Sequence, residues 1–286
     1  MIWLALTSAA ILSTLACLML WRLSDVRAER RVWNDLLRGA GPAGSGFDPA
    51  TVDGLPEPAQ RYLRFAIAPG TALVSVAEIE MDGELGLGTT DAPGYRAMRA
   101  RQILAPPTGL IWRLQAGLLS GSDAATLNTS WTRFWLLDLL PVVRVSGNPD
   151  HHRSAFGRVV SEGAFWVPSS LLPSSHVAWE AVDENTARAR VSCGSFSQAV
   201  EVTVEADGRP CRVMIQRWSN ANRDRVFREQ PFGGYLSDFR LINGYRVPMH
   251  VEGGNFIGTK DYFPFYKATV RSIRFPQLAD QDGMSR

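Results

Sequence analysis

The chain opens on an unbroken apolar run. Residues 2–21, IWLALTSAAILSTLACLMLW, contain no charged side chain, and Arg22, Arg27, Arg30 and Arg31 follow at once. Twenty apolar residues rising ~1.5 Å each cover the ~30 Å hydrocarbon core of a bilayer, where only a helix or a closed barrel satisfies its own backbone. The run predicts a single transmembrane anchor over residues 1–22. A cleavable signal peptide would carry positive charge before the apolar stretch and small residues after it, and neither is present. Arginines on the C-terminal flank alone favour a cytoplasmic domain, although a large folded domain can be translocated against that bias.

From residue 22 the pattern changes. Leu23, Val26, Val32, Trp33, Leu36 and Leu37 recur among charges at near-helical spacing, which predicts a juxtamembrane helix. Small residues from Gly39 to Gly46 then predict a flexible Gly-rich linker completing the 23–46 segment, with a folded domain from residue 47 to 276 and a disordered tail at 277–286. Within the domain, Leu55–Phe65 reads as a short helix opened by proline, with Tyr62, Leu63 and Phe65 inward.

Beyond Leu73 the period is two. Asp207-Gly208 is a tight hairpin turn, and counting outward from it sets Val202 opposite Val213 and Val200 opposite Ile215. A further turn at Gly194–Ser197 sets Cys193 by Gln198, Val191 by Val200 and Arg190 across from Glu201. One face is then apolar and the other charged, which a one-residue slip would scramble. Asn243-Gly244 makes a second hairpin, pairing Ile242 with Tyr245 and Leu236 with Val251, with Asp238 and Arg240 on the apolar face and in need of partners. Further strands are expected over Leu73–Leu85, Tyr95–Leu104, Gly109–Ala116, Leu127–Trp135, Val177–Val182 and Lys260–Phe275. Ser154–Phe165 interrupts them with helical spacing, after a loop-like Asn148-Pro149-Asp150. The predicted fold is mainly β (α+β): a large curved antiparallel sheet or incomplete barrel with a central helix plugging its concave side.

Composition narrows the function classes. Net charge is +2, 45% of residues are apolar, and lysine occurs only at Lys260 and Lys267, so no basic stripe points to nucleic acid. Cys193 and Cys211 are the only cysteines outside the apolar run. They lack CxxC spacing, and their strand positions put them on the order of 20 Å apart, beyond disulfide reach. No G-x-S-x-G elbow is present. Gly117–Ser122 and Gly253-Gly254 lack the continuation of a phosphate loop. No cofactor and no metal site is expected. Asp150-His151-His152 with Glu162 ten residues on is the one combination suited to acid–base work, so Glu162, His151 and His152 are the catalytic candidates. The bland alternatives are an exposed polar turn for the histidines and, for Glu162, a salt bridge to an interior arginine such as Arg240 or Arg61. Two aromatic clusters stand out: Trp131, Phe134 and Trp135 in a run too apolar for a surface loop, and Tyr262, Phe263, Phe265 and Tyr266. They either pack a core or line the mouth of a ligand cleft near lipid headgroups.

Four segments carry a family resemblance: LPEPAQRYL at 55–63, RVVSEGAFWVPSSLL at 158–172, HVAWEAVD at 176–183 and FGGYLSDFRLINGYRVP at 232–248. In this order they resemble an uncharacterised bacterial family of membrane-anchored proteins, a domain of unknown function. The resemblance implies an N-terminal span and a mainly β domain, and supplies no catalytic residues. In outline the expected fold is also similar to the lipoprotein carriers, an incomplete barrel around a helix. The leading expectation is a membrane-anchored protein that binds a lipid or other hydrophobic small molecule in a β-sheet cleft. The alternatives are a membrane-associated hydrolase using Glu162 with His151 or His152, and a scaffold that recruits a partner protein.

Overall fold

A computed structural model describes residues 1–278. Its centre is one sheet of thirteen strands: β1 (Ala77–Gly86), β2 (Tyr95–Ala105), β3 (Gly109–Ala116), β4 (Leu119–Thr126), β5 (Ser130–Leu136), β6 (Leu140–Ser146), β7 (Val177–Ala181), β8 (Thr186–Cys193), β9 (Phe196–Val204), β10 (Pro210–Ser219), β11 (Arg228–Ile242), β12 (Tyr245–Asn255) and β13 (Phe263–Arg274). The order across the sheet is β6-β5-β4-β3-β2-β1-β13-β12-β11-β10-β9-β8-β7, with every neighbour antiparallel. Two meanders therefore meet along a β1–β13 seam, and the sheet stays open between β6 and β7. The link from β6 to β7 is a helix, α3 (Pro149–Trp166), which crosses the concave side and buries Phe156, Val159, Val160, Ala164 and Trp166 in the core with Val200, Val213 and Ile215. Burying one such side chain is worth ~1.5–3 kcal/mol. A second helix, α2 (Glu57–Ala66), buries Tyr62 and Leu63, with Tyr62 donating to the carbonyl of Ala164.

The two hairpins differ in how well their registers are anticipated. Around Asn243-Gly244, Ile242 faces Tyr245 and Leu236 faces Val251 as expected. Asp238 and Arg240, however, pair with each other at 3.1 Å on the surface rather than with buried groups. Around Asp207-Gly208, Val202 faces Val213 and Val200 faces Ile215, with a bulge at Cys211. One strand further, Ala189 faces Val200 and Arg188 faces Glu201, displaced by two residues from expectation. The turn uses only Gly194, at φ +58°, and Ser195. A shift of two keeps every side chain on its face, so the apolar pattern could not exclude it. Arg188 closes on Glu201 at 2.6 Å.

Asn148-Pro149-Asp150 is a helix cap, not a loop. The Asn148 side chain accepts from the backbone N–H groups of Asp150 and His151, and proline sits in the first turn where it loses no helical bond. β4 and β6 were not expected. β4, LSGSDAAT, has too few large apolar residues to alternate, and β6 is the second half of the Trp131–Val143 run, folded back at Leu137 and Asp138, both at φ 56°.

The N-terminal helix α1 (Ile2–Gly39) is continuous. It is long and apolar enough to cross a membrane, and the apolar window that qualifies it is wholly unburied. From Arg22 onward the helix lies against the outer face of the sheet. Asp25 accepts from Arg133 (3.1 Å), Arg144 (2.6 Å) and Trp135 Nε1 (3.0 Å). Glu29 accepts from Ser122 Oγ at 3.0 Å and pairs with Arg113 at 3.4 Å. Trp33 donates to Glu78 at 3.1 Å, and Leu36 joins Ile103, Ile111 and Trp131 in a second apolar cluster. The glycine-rich stretch is a fixed strap rather than a loose linker: Gly44 N–H bonds to Leu73 O at 2.7 Å, and Gln277 donates to the carbonyls of Ala40, Gly41 and Pro42. Gln277 is buried, so the ordered domain includes it; residues 279–286 of the expected tail lie outside the described residues.

Candidate functional site

Strand pairing builds a polar row on the concave face. Gln102 on β2 faces Trp112 on β3, Trp112 faces Asp123 on β4, and Asp123 faces Thr132 on β5. α3 lies along this row and adds His151, Arg158 and Glu162. A continuous chain of contacts results. Ser130 Oγ meets His151 Nδ1 at 2.8 Å, His151 Nε2 meets Thr132 Oγ1 at 2.9 Å, and Thr132 donates to Asp123 Oδ1 at 2.5 Å. Arg158 then bridges Asp123 at 2.7 Å and Glu162 at 2.5 Å, and Gln102 donates to the other Glu162 oxygen. Since the Thr132 hydroxyl proton goes to Asp123, Thr132 accepts from His151, which places the imidazole proton on Nε2. Burial pushes the His151 pKa below its ordinary value, Asp123 opposing and Arg217 and His152 reinforcing the shift, so the ring is neutral. Burial alone would lower Arg158, but Glu162 and Asp123 more than reverse this and hold it charged.

Beside this cluster lies a cleft between α3 and the strands of the seam. It has a cavity of about 220 Å³ that adjoins a narrower one of about 50 Å³. The walls are Leu85, Trp112, Phe232, Phe265 and Tyr266; the polar side is Asp123, Arg158, Glu162 and Arg217. Arg217 differs from Arg158. It stacks over Phe232 at 4.5 Å and only its Nε is hydrogen-bonded, to Ser154 Oγ at 3.0 Å and the Ser154 carbonyl at 3.3 Å. Among the described residues it has no carboxylate partner. Burial pulls its pKa down to about 10, with Asp123 and Glu162 resisting and Arg158 adding to the fall. Trp112 Nε1 and Gln102 Oε1 are buried with no protein partner.

One wall is made thin by glycine. Gly233 faces Gly254 and Gly234 faces Gly253 across β11 and β12. A Cβ at Gly233, Gly234 or Gly254 would collide with the carbonyl of Val213, Glu252 or Phe263 respectively. Gly253 is different: its nearest atom would be the Gly233 carbonyl at 3.5 Å, ordinary contact, and Gly253 borders both cavities.

The structure distributes the residues singled out in the sequence as follows. Glu162 and His151 belong to one network but do not touch, with Thr132, Asp123 and Arg158 between them; the ion partner of Glu162 is Arg158, not Arg240 or Arg61. Arg61 instead holds Glu57 and the carbonyls of Glu205 and Glu184. His152 bonds the Thr126 carbonyl at 2.6 Å and packs on Phe196. Neither His151 nor Ser130 borders the cavity. Of the aromatic residues, Phe265 and Tyr266 line the cleft. Phe263 packs beside Phe265, Tyr262 meets Tyr235 edge-on, and Phe134 is half-buried against the main core. Trp131 and Trp135 lie on the opposite face under α1, where Trp135 meets Trp21 edge-on at 5.7 Å. Among the described residues no group of three His, Cys, Asp or Glu side chains is placed to hold a metal ion. Trp112, Arg217 and Phe232 were not anticipated, because each sits in an ordinary alternating strand. The paired Gly-Gly steps at 233–234 and 253–254 were the visible signal that two backbones approach closely here.

A family model described as a family of unknown function, DUF6544, matches residues 45–268. No curated protein matches the chain. Among solved structures, the fold is similar to a LolA superfamily protein from Nitrosomonas europaea, with TM-score 0.41 and 10% identity over 76% of this chain and 91% of that one. It is also similar to a putative outer membrane lipoprotein-sorting protein domain from Vibrio parahaemolyticus, with TM-score 0.38 and 12% identity over 70% and 85% of the two chains.

Proposed function

We propose, from the premise that this chain belongs to the family of unknown function DUF6544, that it is a single-pass membrane protein whose cleft binds a small amphiphile. The observation that carries the reading is the pairing in one cavity of aromatic and aliphatic walls with the terminal guanidinium N–H groups of Arg217, which no described protein group accepts. Apolar surface receives a chain, and a half-buried guanidinium with no carboxylate partner favours an acceptor-bearing head, because charge-assisted hydrogen bonds are the strong ones. Size limits the guest. At about 220 Å³ the cavity falls below the ~300–1,000 Å³ of pockets that enclose a drug-sized ligand. α3 fills most of the concave side, so the guest is a single short alkyl segment or a comparably small apolar molecule rather than a whole diacyl lipid.

Gly253→Leu tests this directly. A leucine there projects into the cavity without backbone collision, so the variant should keep the wild-type melting temperature while losing its guest. Extraction of both proteins from polymer-bounded native membrane discs, followed by mass spectrometry, should show a species enriched over bulk lipid in the wild type only; identical profiles reject the reading. Arg217→Met should leave the walls intact and lower occupancy by roughly ten- to a hundredfold, the value of a hydrogen bond to a charged group. The arginine-rich flank of the span favours a cytoplasmic domain. A fluorescent protein fused after Arg286 should therefore light up in cells and an alkaline phosphatase fusion should stay inactive, the reverse result moving the domain to the other side.

A further inference from the structure

In an antiparallel meander alternate turns fall at opposite ends of the strands. The turns β1–β2, β3–β4 and β5–β6 therefore share one end, and the pairing of Leu85 with Tyr266 brings the β12–β13 connection to the same end. α1 runs from this end to the other along the outer face. Arg22 pairs with Asp138 in the β5–β6 turn at 3.0 Å, and Leu36 lies against Gly109 beside the β2–β3 turn. The apolar residues 2–21 accordingly leave the domain at the end that carries the β3–β4 and β5–β6 tips. Those tips touch, Leu137 N–H bonding to Leu118 O at 2.8 Å.

The tips are also where exposed hydrophobic side chains gather. Leu118 is 65% exposed, Leu137 60%, Val142 51%, and Leu140 and Val143 are exposed beside them; Leu87 stands open in the β1–β2 turn at the same end. Among the described residues only Val182 and Leu241 are comparably exposed at the far end, on separate turns, which is ordinary scatter. The one acidic group at the tips, Asp138, is held by Ser120 and then by Arg22, which against partial burial draw its carboxyl below the usual range. Trp21, exposed at the domain end of the apolar run beside Arg22 and with Arg144 over its ring at 4.4 Å, is an aromatic and cationic pair of the kind that meets lipid headgroups.

We propose that the β3–β4 and β5–β6 tips insert into the interface of the same bilayer that residues 2–21 cross, seating the domain on lipid. The proposal rests on the membrane-anchor reading, because it is the span leaving the domain beside these tips that identifies the occupant as a lipid surface. Once the span is in place, the tips are confined at high effective concentration to the surface they bind, and modest affinity suffices. The consequence reaches the cleft. Leu85, Phe265 and Tyr266 lie near the same strand ends, so a seated domain turns the cavity towards the leaflet, and a guest can pass between lipid and protein without crossing water.

Spin labels on the full-length chain in phosphatidylcholine–phosphatidylglycerol vesicles test this. Cys17, Cys193 and Cys211 are first replaced by alanine, and single cysteines are introduced as Leu12→Cys in the span, Leu137→Cys at the tip and Asn128→Cys in the β4–β5 turn at the far end. All three sites are exposed, so labelling leaves the core untouched. The labels at 12 and 137 should both show high oxygen and several-fold lower nickel-chelate accessibility than the label at 128. A label at 137 as nickel-accessible as that at 128, with 12 still protected, overturns the seating and leaves the anchor standing. A nickel-accessible label at 12 overturns the anchor and the seating together. Neither result touches the guest in the cleft, which the Gly253→Leu comparison reads separately.

Discussion

Arg158→Met is expected to lower stability by about 3–5 kcal/mol, the typical loss when one member of a buried ion pair is removed and its partners stay behind. Among the described residues Arg158 is the only cation hydrogen-bonded to Asp123 and Glu162, which approach each other from β4 and α3. Without it two carboxylates face one another in a site from which water is largely excluded. For a domain of this size the melting temperature should fall by roughly 6–20 °C. The more telling measurement is the triple variant Arg158→Met, Asp123→Asn, Glu162→Gln. If the loss arises from unpaired charge, neutralising both carboxylates should recover most of it; if Arg158 matters through its stacking on Trp112 at 5.0 Å, the triple variant stays as unstable as the single one.

Asp25→Asn should detach the second half of α1 from the sheet. Asp25 is 3% exposed and holds Arg133, Arg144 and Trp135 at once. Asparagine retains the shape but leaves two guanidinium groups close together without a counter-charge, again worth about 3–5 kcal/mol. Hydrogen exchange along residues 23–38 should rise more than exchange in β8–β10, which α1 does not touch. Acid should mimic the substitution. Burial works to raise the Asp25 pKa, but the Arg144 hydrogen bonds and the charges of Arg133 and Arg144 outweigh it and hold the carboxyl below its ordinary range. A depressed carboxylate stabilises the fold fully above its unfolded value and loses that contribution as pH falls through the folded one. The helix should therefore stay docked at pH 5 and loosen only below about pH 4. Undocking that begins near pH 6 would place the control in another group.

The architecture was legible where local chemistry has one solution. Asn243-Gly244 admits one tight turn and so fixed the β11–β12 register; the uncharged apolar run from Ile2 to Trp21 announces the first half of one long helix. Where two solutions share a hydrophobic face, as at Gly194–Ser197, the pattern alone could not choose. Leu137-Asp138 is a turn that no turn preference announces, because its positive φ values are held by the Arg22–Asp138 pair and the neighbouring Leu118 strand end, both distant in sequence. The site was less visible for the same reason. Glu162 is conspicuous as a carboxylate on an apolar helix, but its partner is Arg158, one turn away on the same helix, rather than an arginine of another element. The row Gln102–Trp112–Asp123–Thr132 spans four strands, one of them unexpected, so no window of sequence contains it. Trp131 and Trp135 show the opposite failure: they read as ligand-facing because they are aromatic, while strand alternation sends them outward to α1 and only Phe134 inward.

The seam between β1 and β13 has a bearing on biogenesis. β1 begins at Ala77 and its partner begins at Phe263, so at ~5–20 residues per second the first strand waits on the order of 10–40 s for the segment that completes it. Gln277, which clamps Ala40–Pro42 and the Ser75 and Val76 amides, emerges later still. The leading helix has long left the exit tunnel by then. Release of α1 and completion of the β1–β13 seam are thus separated in time, and α1 is locked to the domain only after the strand that completes the seam has been made.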